Sequence, residues 1–218
     1  MKIILITGGT ASGKTSLSEK LAKKLGGAKK VNVINMDDYY YPQSYFVDEK
    51  EIEPKKINWD SPKSYNLELL NEHIVHLLNN KEIKKNKFIY GVNEYAPKQE
   101  TLKKKDWLII EGIFSMYDVD VRDSAFIQFF VDSPEFTRLE RRIERDKKLV
   151  PGFDEETFEK KWKKTIQKAY KRYIKKWKKK SDYIVDSTSI ETESDWLINQ
   201  MMEEIDLKLD KIKIKRKK

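Results

Sequence analysis

The sequence predicts an α/β fold in which a mostly parallel sheet carries helices on both faces. Three observations lead there. Apolar runs of four to six residues recur along the chain, each bounded by polar or turn residues, as for strands buried on both sides. Amphipathic stretches of helical period lie between them, so that strand and helix alternate through most of the 218 residues. The first apolar run leads straight into Gly8-Gly9-Thr10-Ala11-Ser12-Gly13-Lys14-Thr15, a glycine-rich loop followed at once by a helical pattern.

Residues 2–7 read as a buried strand and residues 13–25 as a helix stopped by Gly26-Gly27. A second strand over 31–35 ends in Met36-Asp37-Asp38 and three tyrosines. Residues 41–62 contain three prolines and little periodicity, which predicts a loop with a short helix. Apolar residues at 67, 69, 70, 74, 77 and 78 predict a helix over 66–79. Short strands or a hairpin follow over 81–97. Residues 107–110 and 126–131 are further buried strands, the first ending at Glu111-Gly112. Ser133 suits an N-cap and Pro134 a first helical turn, for a helix carrying Arg138, Arg141, Arg142 and Arg145. Pro151-Gly152 breaks that helix. One long helix is expected over 155–179, a short strand over 182–185 and a closing helix over 194–207. No repeat or linker divides the chain, so residues 1–207 read as one domain. Residues 208–218 form a basic tail, either disordered or extending the last helix.

The chain has no cysteine, which excludes disulfides, a thiolate nucleophile and Cys-based metal sites and suits a cytoplasmic location. No run approaches the roughly 20 apolar residues that span a bilayer, and the short run at 3–6 is no signal peptide. The net charge of +9 lies largely in 161–180 and 208–218, as a solvated helix face and tail would place it. The five tryptophans are scattered, unlike a base-stacking platform, so a nucleic-acid-stimulated NTPase ranks below a small-molecule kinase. His73 and His76 share one helix with no third ligand and read as structural. Arginine is more informative. Only seven of the 45 basic residues are Arg, and four fall within 138–145, where planar donors suit phosphate or paired hydroxyls.

Gly8-x4-Gly13-Lys14-Thr15 matches the phosphate-binding loop in full, in its strand-loop-helix context. Backbone N–H groups from Gly8 to Ser16 would cradle the phosphates of ATP or GTP, aided by the helix N-terminus. Lys14 would reach the β- and γ-phosphates, and Thr15 would ligate Mg²⁺. Glu111, at a strand end beside the loop, is a second magnesium candidate. Phosphorylating a hydroxyl also needs a carboxylate beside it, and Asp37 and Asp38 both close the second strand. These residues alone do not choose between them.

The ordered segments Gly8–Thr15, Asn35-Met36-Asp37-Asp38-Tyr39-Tyr40, Asn58-Trp59-Asp60-Ser61-Pro62, Ile109-Ile110-Glu111-Gly112-Ile113, Phe130-Val131-Asp132 and Arg138-Leu139-x-Arg141-Arg142-x-x-Arg145-Asp146 resemble the uridine kinase family, within the group containing phosphoribulokinase and pantothenate kinase. The resemblance, over about residues 1–186, implies a P-loop NTPase fold with a short lid near 147–155. It implies transfer of a γ-phosphoryl group from ATP or GTP to the 5′-hydroxyl of uridine or cytidine. Asp37 then aligns with the catalytic carboxylate and joins Thr15 and Glu111 around Mg²⁺. Lys14 and Arg145 lie at the transferring phosphate, Asp60 and Arg142 at the ribose hydroxyls, and Tyr90 at the pyrimidine. A homotetramer is implied as well. The family's Tyr-Asp-Phe-x-x-His segment reads Tyr90-Gly91-Val92-Asn93-Glu94-Tyr95 here, so Tyr95 replaces the base-contacting His unless the loop has shifted. The lid reads Lys147-Lys148-Leu149-Val150-Pro151-Gly152 in place of an Arg-rich stretch, and 41–57 lacks close similarity. The alternative acceptors are a pyridine nucleoside, pantothenate or a sugar phosphate.

Overall fold

A computed structural model describes residues 1–188 and 190–215. Strand β1 (Lys2–Gly8) runs through a loop into helix α1 (Lys14–Lys24). Strand β2 (Val31–Asn35) ends in a helical turn, Met36–Tyr39. An irregular segment with short turns leads to α2 (Leu67–Leu78), whose N-cap Asn66 accepts the Leu69 N–H at 3.0 Å. Four short strands follow: β3 (Ile83–Lys85), β4 (Phe88–Ile89), β5 (Glu94–Tyr95) and β6 (Glu100–Leu102). β3 pairs antiparallel with β6, and β4 with β5. Then come β7 (Trp107–Glu111), α3 (Val119–Asp123), β8 (Ile127–Asp132) and α4 (Glu135–Leu149). The chain ends through α5 (Glu155–Lys161), α6 (Gln167–Ala169), β9 (Tyr183–Asp186) and α7 (Ile190–Lys215).

Five strands form one parallel sheet in the order β2-β7-β1-β8-β9. The expected mostly parallel sheet with helices on both faces is what forms. β1 shows why its run is apolar throughout. Ile3 and Leu5 join Leu70, Ile74 and Leu77 of α2 on one face, whereas Ile4 and Ile6 join Leu17 and Leu21 of α1 on the other. With a period of two, a strand covered on both sides has no polar position to spare.

Several element expectations need correction. The helix over 155–179 is not one regular α-helix. Wide π turns occupy Trp162–Ile166 and Tyr170–Ile174, and a 3₁₀ segment occupies Lys175–Lys179. The second π turn accommodates the five-residue step between buried Ala169 and Ile174, which a regular helix would rotate out of line. Ser133 is not the N-cap of α4; Pro134 holds that position, and no side chain caps the helix. Ser133 instead offers its carbonyl to Arg138 Nε at 3.2 Å. Helix α3, opened by Asp118 accepting the Val121 N–H at 3.1 Å, was not anticipated. α7 is longer than 194–207 at both ends. Leu197, Met201, Ile205 and Leu209 pack on the sheet as a four-residue stripe, so residues 208–215 continue the helix. Residues 216–218 of the basic tail lie outside the described residues. No helix among the described residues is long and apolar enough to cross a membrane.

Candidate active site

The parallel sheet sets the site. β7 lies between β2 and β1, and Glu111 sits in register with Asn35 on one side and Ile6 on the other. The carboxyl ends of three strands therefore meet at one edge, where ligands of open α/β sheets bind. A cavity of about 440 Å³ opens there.

The glycine-rich loop forms its floor. Thr10, Ala11, Gly13, Lys14, Thr15 and Ser16 line the cavity. Gly8, Gly9 and Ser12 stand behind that wall. Gly8 passes so near β8 that an added Cβ would lie 2.3 Å from the Val131 carbonyl oxygen. The Ser12 carbonyl accepts from Ser187 Oγ at 2.7 Å, turning that residue inward. Lys14 Nζ donates to the Gly9 carbonyl at 2.7 Å. Burial lowers the Lys14 pKa to about 8, against the pull of Glu111 and Asp37. Thr15 Oγ1 donates to Glu111 Oε1 at 2.8 Å. Burial raises Glu111 to about 7, with Lys14 opposing and Asp37 reinforcing the shift. This is a pocket of poorly solvated charge.

The adjacent acids separate here. Asn35 Oδ1 accepts the Asp37 N–H at 2.8 Å and fixes the turn after β2. Asp37 then lines the cavity, its pKa raised by burial although Arg145, Lys14 and Arg142 pull it down. Asp38 points to the hairpin region, where it takes Lys85 Nζ at 2.5 Å and the Phe88 N–H at 3.0 Å. Asp38 is thus a structural tie, and only Asp37 is open to a ligand.

The arginines divide by helical position. Arg142 and Arg145 line the cavity. Arg142 Nε donates to Asp146 at 2.8 and 3.0 Å, Nη1 donates to Thr10 Oγ1 at 2.7 Å, and Nη2 donates to the Tyr90 hydroxyl. Arg145 Nε donates to Asp146 Oδ1 at 3.2 Å, and its guanidinium lies 4.4 Å from the Tyr90 ring centre. Arg138 is one turn earlier on α4, buried against Gly9 and over the Tyr170 ring at 4.4 Å. Arg141 faces elsewhere and donates to the Ser187 carbonyl at 3.1 and 3.2 Å. The cluster of four supplies two cavity arginines: Arg141 is turned about 100° away from Arg142, whereas Arg138 shares the face of Arg142 but lies one turn earlier, behind Gly9.

Asp60 and Tyr90 also reach the cavity. Burial raises Asp60, against Arg142 and Lys161. The Tyr90 hydroxyl donates to Asp146 at 2.9 and 3.0 Å. Tyr95 does not reach the cavity wall: its hydroxyl donates to the Tyr40 carbonyl at 2.6 Å. The structure adds residues to which the sequence assigned no role. Asp146, 3% exposed, collects Tyr90, Arg142 and Arg145; its signal was the Arg-x-x-x-Asp spacing from Arg142. Tyr40, Trp59 and Phe88 form an aromatic wall, with ring centres 5.2–5.9 Å apart. Trp59 precedes Asp60 and Tyr40 follows Asp37 by three, so proximity to those acids was the available sign.

Residues 147–155 close one side. Val150, Gly152, Phe153 and Asp154 line the cavity, and Lys147 pairs with Glu155 at 2.6 Å across the turn. His73 accepts or donates a 2.9 Å hydrogen bond with the Tyr39 hydroxyl inside the core.

A strand-loop-helix phosphate cradle at the carboxyl edge of a parallel sheet, with carboxylates and two arginines over it, defines a P-loop kinase. The chain belongs to the Phosphoribulokinase / Uridine kinase family, whose model matches residues 3–193. It is 37% identical over 146 residues to the uridine kinase of Clostridium novyi (strain NT), covering 66% of this chain and 67% of that protein. The uridine kinase of Ligilactobacillus salivarius (strain UCC118) is 33% identical over 188 residues, 84% of each chain. The solved structure of phosphoribulokinase from Rhodobacter spheroides shares the fold, with a TM-score of 0.62, 13% identity, and coverage of 85% of this chain and 69% of that one.

Proposed function

We propose that this protein transfers the γ-phosphoryl group of ATP or GTP to the 5′-hydroxyl of uridine or cytidine, giving UMP or CMP. The observation that carries the reading is that Asp37 and Asp60 share one cavity with the phosphate loop and an aromatic wall. Those groups suit, respectively, a reacting hydroxyl, a ribose, a triphosphate and a base. The names of the uridine kinases to which the chain is 33–37% identical support the same acceptor.

In this reading the loop amides and Lys14 hold the triphosphate, and Arg145 faces the group in transfer. Its two terminal nitrogens carry no hydrogen bond to the described residues, leaving them for phosphate oxygens. Asp37 orients the 5′-hydroxyl and accepts its proton as the new P–O bond forms. Asp60 and Arg142 hold the ribose hydroxyls, and Tyr90 and the aromatic wall enclose the base. Positioning and fixed charge do most of the work.

Thr15, Glu111 and Asp37 offer only oxygen donors, which suits Mg²⁺. Among the described residues no group of three or more His, Cys, Asp or Glu forms a metal cluster. That agrees with an ion that takes one or two carboxylates and completes its shell with phosphates and water. Bound Mg²⁺ would neutralise charge building on the phosphates. A homotetramer in the cytoplasm belongs to the same reading, and light scattering would report the assembly.

A radiolabelled-ATP screen over uridine, cytidine, nicotinamide riboside, pantothenate and ribulose 5-phosphate tests the acceptor. Labelled UMP and CMP are expected. Labelling of one of the other three with neither pyrimidine nucleoside used would replace this reading.

A further inference from the structure

The turn joining β4 to β5 forms part of the cavity wall, and three contacts hold it. The Asn93 N–H donates to the Ile89 carbonyl at 2.7 Å, and the Gln43 N–H donates to the Asn93 carbonyl at 2.8 Å. Gly91 lies against the end of α4, where an added Cβ would sit 2.2 Å from the Leu149 carbonyl oxygen. Asn93 has φ 62, in the left-handed region that Asn enters more readily than most residues. The backbone of residue 93 is therefore well placed. Its side-chain amide makes no hydrogen bond among the described residues, and the residue lines the cavity.

The cavity contains no other Asn or Gln among its described lining residues. Its remaining polar side-chain groups are charged groups and hydroxyls, suited to phosphate and sugar, and the Trp59 indole N–H, a donor with no acceptor beside it. A base edge is different: neutral, with donors and acceptors side by side. A side-chain amide presents one donor end and one acceptor end in the same plane. The same turn carries Tyr90, and Phe88 just before it belongs to the aromatic wall. A base enclosed there would turn an edge to the chain near residue 93. The Tyr95 hydroxyl is already committed to the Tyr40 carbonyl.

We propose that Asn93 reads the edge of the acceptor's base and sets pyrimidine preference, a role that rests on the nucleoside-kinase reading above. The amide can turn over about its last bond. In one orientation its N–H donates to O4 of uracil; in the other its carbonyl accepts from N4 of cytosine. One side chain thus accommodates both pyrimidines. A carboxylate at the same place keeps the cytosine contact and faces O4 of uracil with repulsion.

Steady-state kinetics with uridine and cytidine on the full chain and on N93D and N93G test this. Glycine tolerates the positive φ, so N93G removes the amide without straining the turn. N93D is expected to raise the cytidine-to-uridine ratio of kcat/KM by about tenfold. N93G is expected to raise KM for both nucleosides by about tenfold with kcat little changed, as loss of uniform binding requires. ATP-induced thermal shifts equal to the wild type show that both variants fold. A purely structural role for Asn93 would change kcat and stability but not the ratio between bases. Wild-type turnover of both nucleosides with an unmoved ratio in N93D and unmoved KM in N93G overturns the assignment alone. No turnover of either nucleoside by the wild type overturns the acceptor reading and this inference together.

Discussion

Replacing Glu111 by glutamine removes a carboxylate that the fold holds at a cost. Glu111 is 2% exposed, and its pKa rises from 4.5 to about 7, mainly by burial. Below pH 4.5 the folded and unfolded chains both carry the proton, and the group is neutral in its effect. As pH rises from 4.5 to 7 the unfolded chain releases the proton first, so it binds fewer protons than the folded chain and stability falls. Each tenfold in proton affinity is about 1.4 kcal/mol, so the loss is complete above pH 7 at about 3 kcal/mol. Glutamine is neutral at every pH and its oxygen can still accept the 2.8 Å hydrogen bond from Thr15. Lys14 then loses a partner that raises its pKa, which takes back part of the gain. E111Q should therefore be more stable than the wild type by about 1–3 kcal/mol at pH 8, with no difference near pH 4.5. For a chain of this size that is roughly 2–4 °C in Tm per kcal/mol. Urea or thermal unfolding in EDTA, without nucleotide, across pH 4.5–8.5 measures it. A variant destabilised equally at all pH values would refute the burial account of this carboxylate.

Two further substitutions separate chemistry from architecture. D37N should lower turnover by about 10²–10⁴-fold, as loss of a positioned base does, while ATP affinity by equilibrium binding stays within a few-fold; near-normal turnover would remove Asp37 from the proton-accepting role. D146N leaves Arg142 without its buried counter-ion and should cost about 3 kcal/mol in denaturant unfolding, together with most activity; unchanged stability would show that Asp146 does not organise the arginines.

Legibility followed the range of the interactions. β1 and α2 could be read because their periods are local: Ile3 to Ile6 without a polar break, and Leu70, Ile74 and Leu77 on one stripe. The π turns could not, since a shift to i+5 hydrogen bonding changes no residue type and shows only in the step from Ala169 to Ile174. The Ser133 cap failed for a similar reason. Its hydroxyl takes Arg141 at 3.4 Å and its carbonyl takes Arg138, partners that the helix itself supplies later in the chain.

The same distinction divides the site into two halves. The phosphate half lies within residues 8–16, and its geometry follows from loop and helix start alone, so it was evident from eight residues. The acceptor half has no such local source. Asp37 is distinguished from Asp38 by Lys85, 47 positions away, which occupies the wrong acid. Arg142 joins Thr10, Tyr90 and Asp146 through one guanidinium, so loop, turn and α4 are aligned by a single planar fork. Lysine could not replace it, having no plane along which to hold three partners in fixed directions. The concentration of Arg in α4 marked the organising helix, although only the fold showed that two of the four arginines reach the cavity.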